Sequence, residues 1–95
     1  MLQLTFNQFQ ELQFNVTKWF RILNCQAWYG FDPVHKIYLV KSYDTIVAYD
    51  DETTLYSLGR FSMTTYQHIR KYKNNYTKNG YNTHEQNLEL VNWFK

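Results

Sequence analysis

The chain carries a single cysteine, Cys25, so no disulfide can close within it. A lone thiol fits a reducing compartment, and the expected location is cytoplasmic. Cys25, His35, His68 and His84 are scattered, with neither a C-x-x-C nor an H-x-x-x-H pair. Metal binding needs such residues clustered, so no metal ligands and no cofactor are expected. Cys25 itself reads as a small buried residue rather than a nucleophile. Phosphate-cradling G-x-x-x-x-G-K, the dinucleotide fingerprint and the G-x-S-x-G elbow are all missing. No cluster of groups with complementary catalytic roles is legible, so no catalytic residues are assigned and the chain reads as non-enzymatic.

Long apolar runs are also missing. Nothing approaches the ~20 apolar residues of a membrane span, so no membrane partner is expected. The start, MLQLTFNQFQEL, has no basic n-region and no continuous apolar stretch, and is not read as a signal peptide. Charge of one sign is scarce too. Ten Lys and Arg oppose eight Asp and Glu, for a net charge of +2. That is too weak to mark a nucleic-acid binder and has the wrong sign for an acidic DNA mimic.

Aromatics, by contrast, are abundant: they make up 20% of the 95 residues, with nine Tyr against seven Phe. A chain this short holds one core, so residues 1–95 form one domain. Tyr hydroxyls need partners or water, which places many rings at the core boundary or on a contact surface. Homodimerisation is one way to cover surplus rings.

Apolar residues recur at three- and four-residue steps through Phe6, Phe9, Leu12, Val16, Trp19, Phe20 and Leu23. With Thr5 as N-cap, they predict a helix over about 5–23. Residues 24–36 are irregular, with a short strand at 26–29. Segments 37–41, 45–49 and 54–58 read as strands, separated by Ser42-Tyr43-Asp44 and Asp50-Asp51-Glu52-Thr53. Connections so short require an antiparallel meander. Ser62 caps a helix over about 62–77, ended by Asn79-Gly80. Thr83 opens a short last helix carrying Leu88, Leu90, Val91, Trp93 and Phe94. The expected class is α+β: a three-stranded antiparallel sheet over about 37–58 packed with these helices. Its expected core is Phe9, Leu12, Trp19, Leu23, Leu39, Ile46, Ala48, Ile69 and Tyr72.

On the helix over 62–77, stepping about 100° per residue puts Thr65, Tyr66, His68, Ile69, Tyr72 and Tyr76 on one side. Gln67, Arg70, Lys71, Asn74 and Lys78 lie on the other, with Lys73 at the border. That second face, with Arg60 beside it, is the candidate partner-binding surface. Its cations suit phosphates or an acidic protein groove, although any exposed amphipathic helix shows a polar face. Asp50-Asp51-Glu52 reads as a solvated turn rather than a metal cluster.

Ser42-Tyr43-Asp44-Thr45-Ile46-Val47-Ala48, then Leu55-Tyr56, then Thr64-Thr65-Tyr66-Gln67-His68-Ile69 resembles a group of small accessory proteins from phages and plasmids of low-GC Gram-positive bacteria. The likeness spans about 35 residues and brings no catalytic residues to carry over. It implies a mobile-element protein of the size seen among host-defence antagonists, anti-CRISPR proteins included. The resulting expectation is a non-enzymatic inhibitor of a host defence protein, such as a CRISPR effector nuclease. The alternative is a small DNA-binding regulator using the basic helix face. Salt separates the two, because four phosphate contacts would give a log–log slope near −3.6, about −0.9 each.

Overall fold

A computed structural model describes residues 2–59 and 61–77, together with the backbone of 88–90. The architecture is α+β, with an antiparallel sheet and two helices. The first helix, α1 (Phe6–Glu11), opens on a reciprocal cap. Thr5 Oγ1 accepts from the Gln8 N–H at 3.1 Å, and Gln8 Oε1 accepts from the Thr5 N–H at 2.9 Å. Two otherwise orphaned donors are thereby satisfied. One further turn, Leu12–Asn15, is wound as a 3-10 helix, and Val16 is already extended.

Here the expected helix over about 5–23 is corrected: its second half is a strand, β1 (Trp19–Arg21). Val16, Thr17, Trp19 and Phe20 are β-branched or aromatic, types that fit a pleated, half-buried surface. A neighbouring strand, β2 (Ala27–Asp32), takes them up through the pairs Trp19↔Gly30, Phe20↔Tyr29 and Arg21↔Trp28. Just beyond β1, Ile22 is fully buried, whereas Leu23, expected in the core, is 46% exposed. Trp19, also expected there, is only partly buried.

Next come β3 (Ile37–Ser42), β4 (Thr45–Asp50) and β5 (Leu55–Ser57), the meander the sequence predicts. The sheet is nevertheless larger than the expected three strands, because β1 and β2 extend the antiparallel run to five in the order β1-β2-β3-β4-β5. At one point the β3–β4 register slips, from Val40↔Ala48 to Lys41↔Ile46, leaving Val47 as a bulge residue. Both Val47 and Ala48 consequently join the same core cluster. Beyond the β4–β5 pairs, the side-chain amide of Gln10 takes over at Ile46. It donates to the Ile46 carbonyl at 2.8 Å and accepts from the Ile46 N–H at 2.7 Å.

The second helix, α2 (Met63–Tyr76), starts where Ser62 predicts, with the Ser62 hydroxyl accepting from the Thr65 N–H. It is followed by β6 (Leu88–Leu90), which lies parallel to β5. This corrects the expected terminal helix over those residues. A parallel neighbour needs a long crossover, and α2 lies within that connection. The remainder of that expected helix, with Val91, Trp93 and Phe94, falls outside the described residues, as does the Asn79-Gly80 stop.

Each face of the sheet carries a core. Phe9 and Leu12 pack on Leu39, Ile46, Tyr49 and Leu58 on one face. Ile69 and Tyr72 of α2 pack on Val40, Val47, Ala48 and Leu55 on the other. Rings line the first core: Phe9 stacks on Tyr49 at 5.0 Å, and Tyr49 on Tyr56 at 4.8 Å. Seven expected core residues are buried: Phe9, Leu12, Leu39, Ile46, Ala48, Ile69 and Tyr72.

Candidate functional site

The inner side of α2 is set by its packing on β3 and β4. Thr65, His68, Ile69, Tyr72 and Lys73 are buried. Lys73, at the border of the two faces by sequence, therefore belongs to the packed side. Opposite them, Gln67, Lys71 and Asn74 are exposed and Arg70 is half-buried. The Arg70 guanidinium lies 5.8 Å from the Tyr66 ring centre, which draws it toward the helix surface. The structure thus brings four of the six candidate partner-binding residues onto one face. Arg60 and Lys78 lie outside the described residues.

The acidic triplet divides. Asp50 is the last residue of β4 and is buried, with its Oδ2 accepting from the Tyr72 hydroxyl at 2.7 Å. Asp51 organises the turn: its Oδ1 accepts from the Thr53 hydroxyl and from the Thr53 and Thr54 N–H groups. Burial pushes the Asp51 carboxyl up, but those hydrogen bonds outweigh it and hold the group below its ordinary range. Glu52 is exposed and adopts a positive φ of 74°. Among the described residues, no group of three His, Cys, Asp or Glu is placed to hold a metal ion. The Cys25 thiol donates to the Ile22 carbonyl at 3.1 Å, inside the β1–β2 turn.

Two constellations were not visible in the sequence. In the first, the Ser42 hydroxyl lies 2.8 Å from His68 Nδ1 and 3.2 Å from Thr65 Oγ1, tying β3 to α2. All three residues are buried. Burial holds the His68 imidazole below its ordinary pKa, and the nearby Lys71 charge adds to the effect. Among the described residues, Ser42 is the hydrogen-bond partner of the ring, so no carboxylate orients it as a nucleophile's base requires. The pair works as a polar rivet.

The second constellation is a cleft where β2, β3, β4 and α2 meet, with a volume of about 210 Å³. Tyr29, Tyr38, Tyr72 and Tyr76 wall it, and Asp50 and Glu52 lie along it. The rings are mutually packed, with Tyr29 5.5 Å from Tyr72 and 4.8 Å from Tyr76. Burial first, then the neighbouring Tyr76 and Tyr38 hydroxyls, push the Tyr29 phenol above its ordinary pKa. The i,i+4 pair Tyr72/Tyr76 was legible on the inner helix side. Tyr29, Tyr38 and Asp50 came into view only with the sheet register, which sets Tyr38 opposite Asp50.

On the other face of the sheet, Lys41 stands 4.2 Å over the Trp19 ring and 6.0 Å from Trp28. That pair of indoles is already occupied by a cation of the chain itself. No helix among the described residues is long and apolar enough to cross a membrane.

A family model matches residues 5–88, and the chain belongs to that family, a family of unknown function (DUF8033). No curated protein matches the chain, and no solved structure does.

Proposed function

We propose that the chain is a non-enzymatic binding protein that acts by occupying another protein, with the outer face of α2 as its contact surface. One observation carries this reading: Gln67, Lys71 and Asn74 stand exposed in a row while the opposite side of the same helix is packed on the sheet. A sheet-backed helix presents such a row without a backbone ordering cost, which favours binding. Lys71 and Arg70 give the row a positive sign, suited to an acidic groove. An inhibitor of a host defence protein, such as a CRISPR effector nuclease, is the form of such binding that the phage-protein resemblance supports.

The test is affinity capture from a low-GC Gram-positive lysate, comparing the wild type with Lys71→Glu/Asn74→Glu. A protein retained by the first and lost by the second supports this face. A protein retained equally by both removes the face from the proposal. The DNA-binding alternative would show as duplex affinity falling with salt at about −0.9 per phosphate contact in the log–log plot.

A further inference from the structure

We propose that β1 is a self-association edge, where a second copy of the chain adds its own β1 antiparallel and the two sheets become one. The surface goes beyond the α2 outer face. The helix packs on β3 and β4, whereas β1 ends the strand order and has β2 on one side only.

The backbone of β1 supplies the first observation. The Ile22 N–H donates to the Ala27 carbonyl at 2.9 Å. In the register Phe20↔Tyr29, this bond makes 20/29 and 22/27 the pairs that exchange hydrogen bonds. Trp19 and Arg21 alternate with them, so their N–H and C=O groups point away from β2. Among the described residues those outward groups have no hydrogen-bond partner. Unpaired donors and acceptors along a sheet edge are a template for another strand.

The second observation is that β1 complements itself. It runs Trp19-Phe20-Arg21, with outward groups at both ends, so a twofold axis passes through Phe20. Trp19 of each copy then pairs with Arg21 of the other, and each pair exchanges N–H···O=C bonds in both directions. No residue in this register faces its own charge, because Arg21 meets Trp19 and Lys18 meets Ile22. The two Phe20 residues face each other at a non-hydrogen-bonded position, where antiparallel side chains come closest. Phe20 rests on Tyr29 at 5.4 Å between ring centres and is otherwise 45% exposed, so it has apolar surface left to cover.

These features select a second copy over a foreign strand. A foreign strand would have to bring a side chain that packs on Phe20 and one that tolerates Arg21 on either side of it. A second β1 brings both, and the symmetry repeats every contact. The edge is short, with three residues in β1. Such a pairing buries less than the roughly 1,200–2,000 Å² of a standard interface, so the dimer is weak and depends on concentration.

The experiment is sedimentation velocity on the intact chain between about 10 μM and 1 mM, which should show a monomer–dimer equilibrium. Arg21→Pro removes one outward donor at a position where an edge strand accepts proline. The donor is lost twice in a symmetric dimer, so association should weaken about tenfold. Cross-linking then tests the register, with Cys25→Ser as background and oxidised glutathione as oxidant. Phe20→Cys should form a disulfide-linked dimer, because Cα atoms in a non-hydrogen-bonded pair lie about 4.5 Å apart, within disulfide reach. Arg21→Cys should cross-link at least about tenfold more slowly, since its two copies lie two residues out of register and more than about 7 Å apart. Should Arg21→Pro not fold, the two cysteine variants still decide. Lys71→Glu/Asn74→Glu should leave the dimer intact, which separates this edge from the α2 outer face. A chain that stays monomeric at about 1 mM, equal cross-linking at the two positions, or a dimer lost with Lys71→Glu/Asn74→Glu overturns the proposal.

Discussion

Tyr72 donates its hydroxyl to Asp50 at 2.7 Å across the interface between α2 and β4, and both residues are buried. The bond fixes the helix on the sheet and orients one wall of the tyrosine cleft. Tyr72→Phe removes the donor and leaves the ring. The expected cost is about 1–3 kcal/mol, that of leaving a buried carboxylate short of a partner. Urea unfolding followed by circular dichroism measures it. An unchanged midpoint would mean that the bond contributes nothing to docking α2.

His68 gives a pH signature. Its folded-state pKa lies below its unfolded value, so the unfolded chain binds the proton more readily. This contribution to stability is therefore full above about pH 6.5 and is lost as pH falls below it, with a slope of at most about 1.4 kcal/mol per pH unit. His68→Asn should remove that slope between pH 7 and 5, apart from what other groups contribute. The check is a set of urea midpoints for both proteins across that range. Parallel curves would contradict the assignment.

Gly30 reports on the β1–β2 pairing. A Cβ there would meet Val16 Cγ1 at 2.4 Å and the Lys18 carbonyl and Trp19 ring at 3.1 Å. Gly30→Ala should therefore destabilise the fold by about 1–3 kcal/mol, as overpacking does. The contacts exist only if residues 16–19 cross the sheet as an extended segment. A continuous helix through residue 23 would leave the variant neutral in thermal unfolding.

The sequence made the meander and α2 legible because each element there is locally consistent: β-branched alternation, polar turns and a Ser62 cap all agree. Residues 16–23 were not legible, because one set of positions satisfies both periods. Val16, Trp19, Phe20 and Leu23 fit a helical stripe, while Phe20 and Ile22 fit one face of a strand. The choice fell to tertiary pairing with β2, which no local signal announces. Residues 88–90 posed the same difficulty, since a parallel partner for β5 lies a whole crossover away in sequence. Of the candidate site, the outer face of α2 followed from helical spacing alone. The tyrosine cleft did not, because it combines β2, β3, β4 and α2 through register.

Stability and binding should separate on the outer face of α2. Lys71 and Asn74 are exposed, so Lys71→Glu/Asn74→Glu should move stability by no more than about 0.5 kcal/mol per substitution. Thermal unfolding of the double variant checks this. A larger loss would show that these side chains support the fold.

Calorimetric titration of a captured partner against the wild type and Lys71→Glu/Asn74→Glu tests the central claim most directly. Reversing charge within an interface costs several kcal/mol. The double variant should thus bind at least about 100-fold more weakly while unfolding at nearly the same temperature. Equal affinity for the two proteins would contradict the account and show that the partner is held elsewhere.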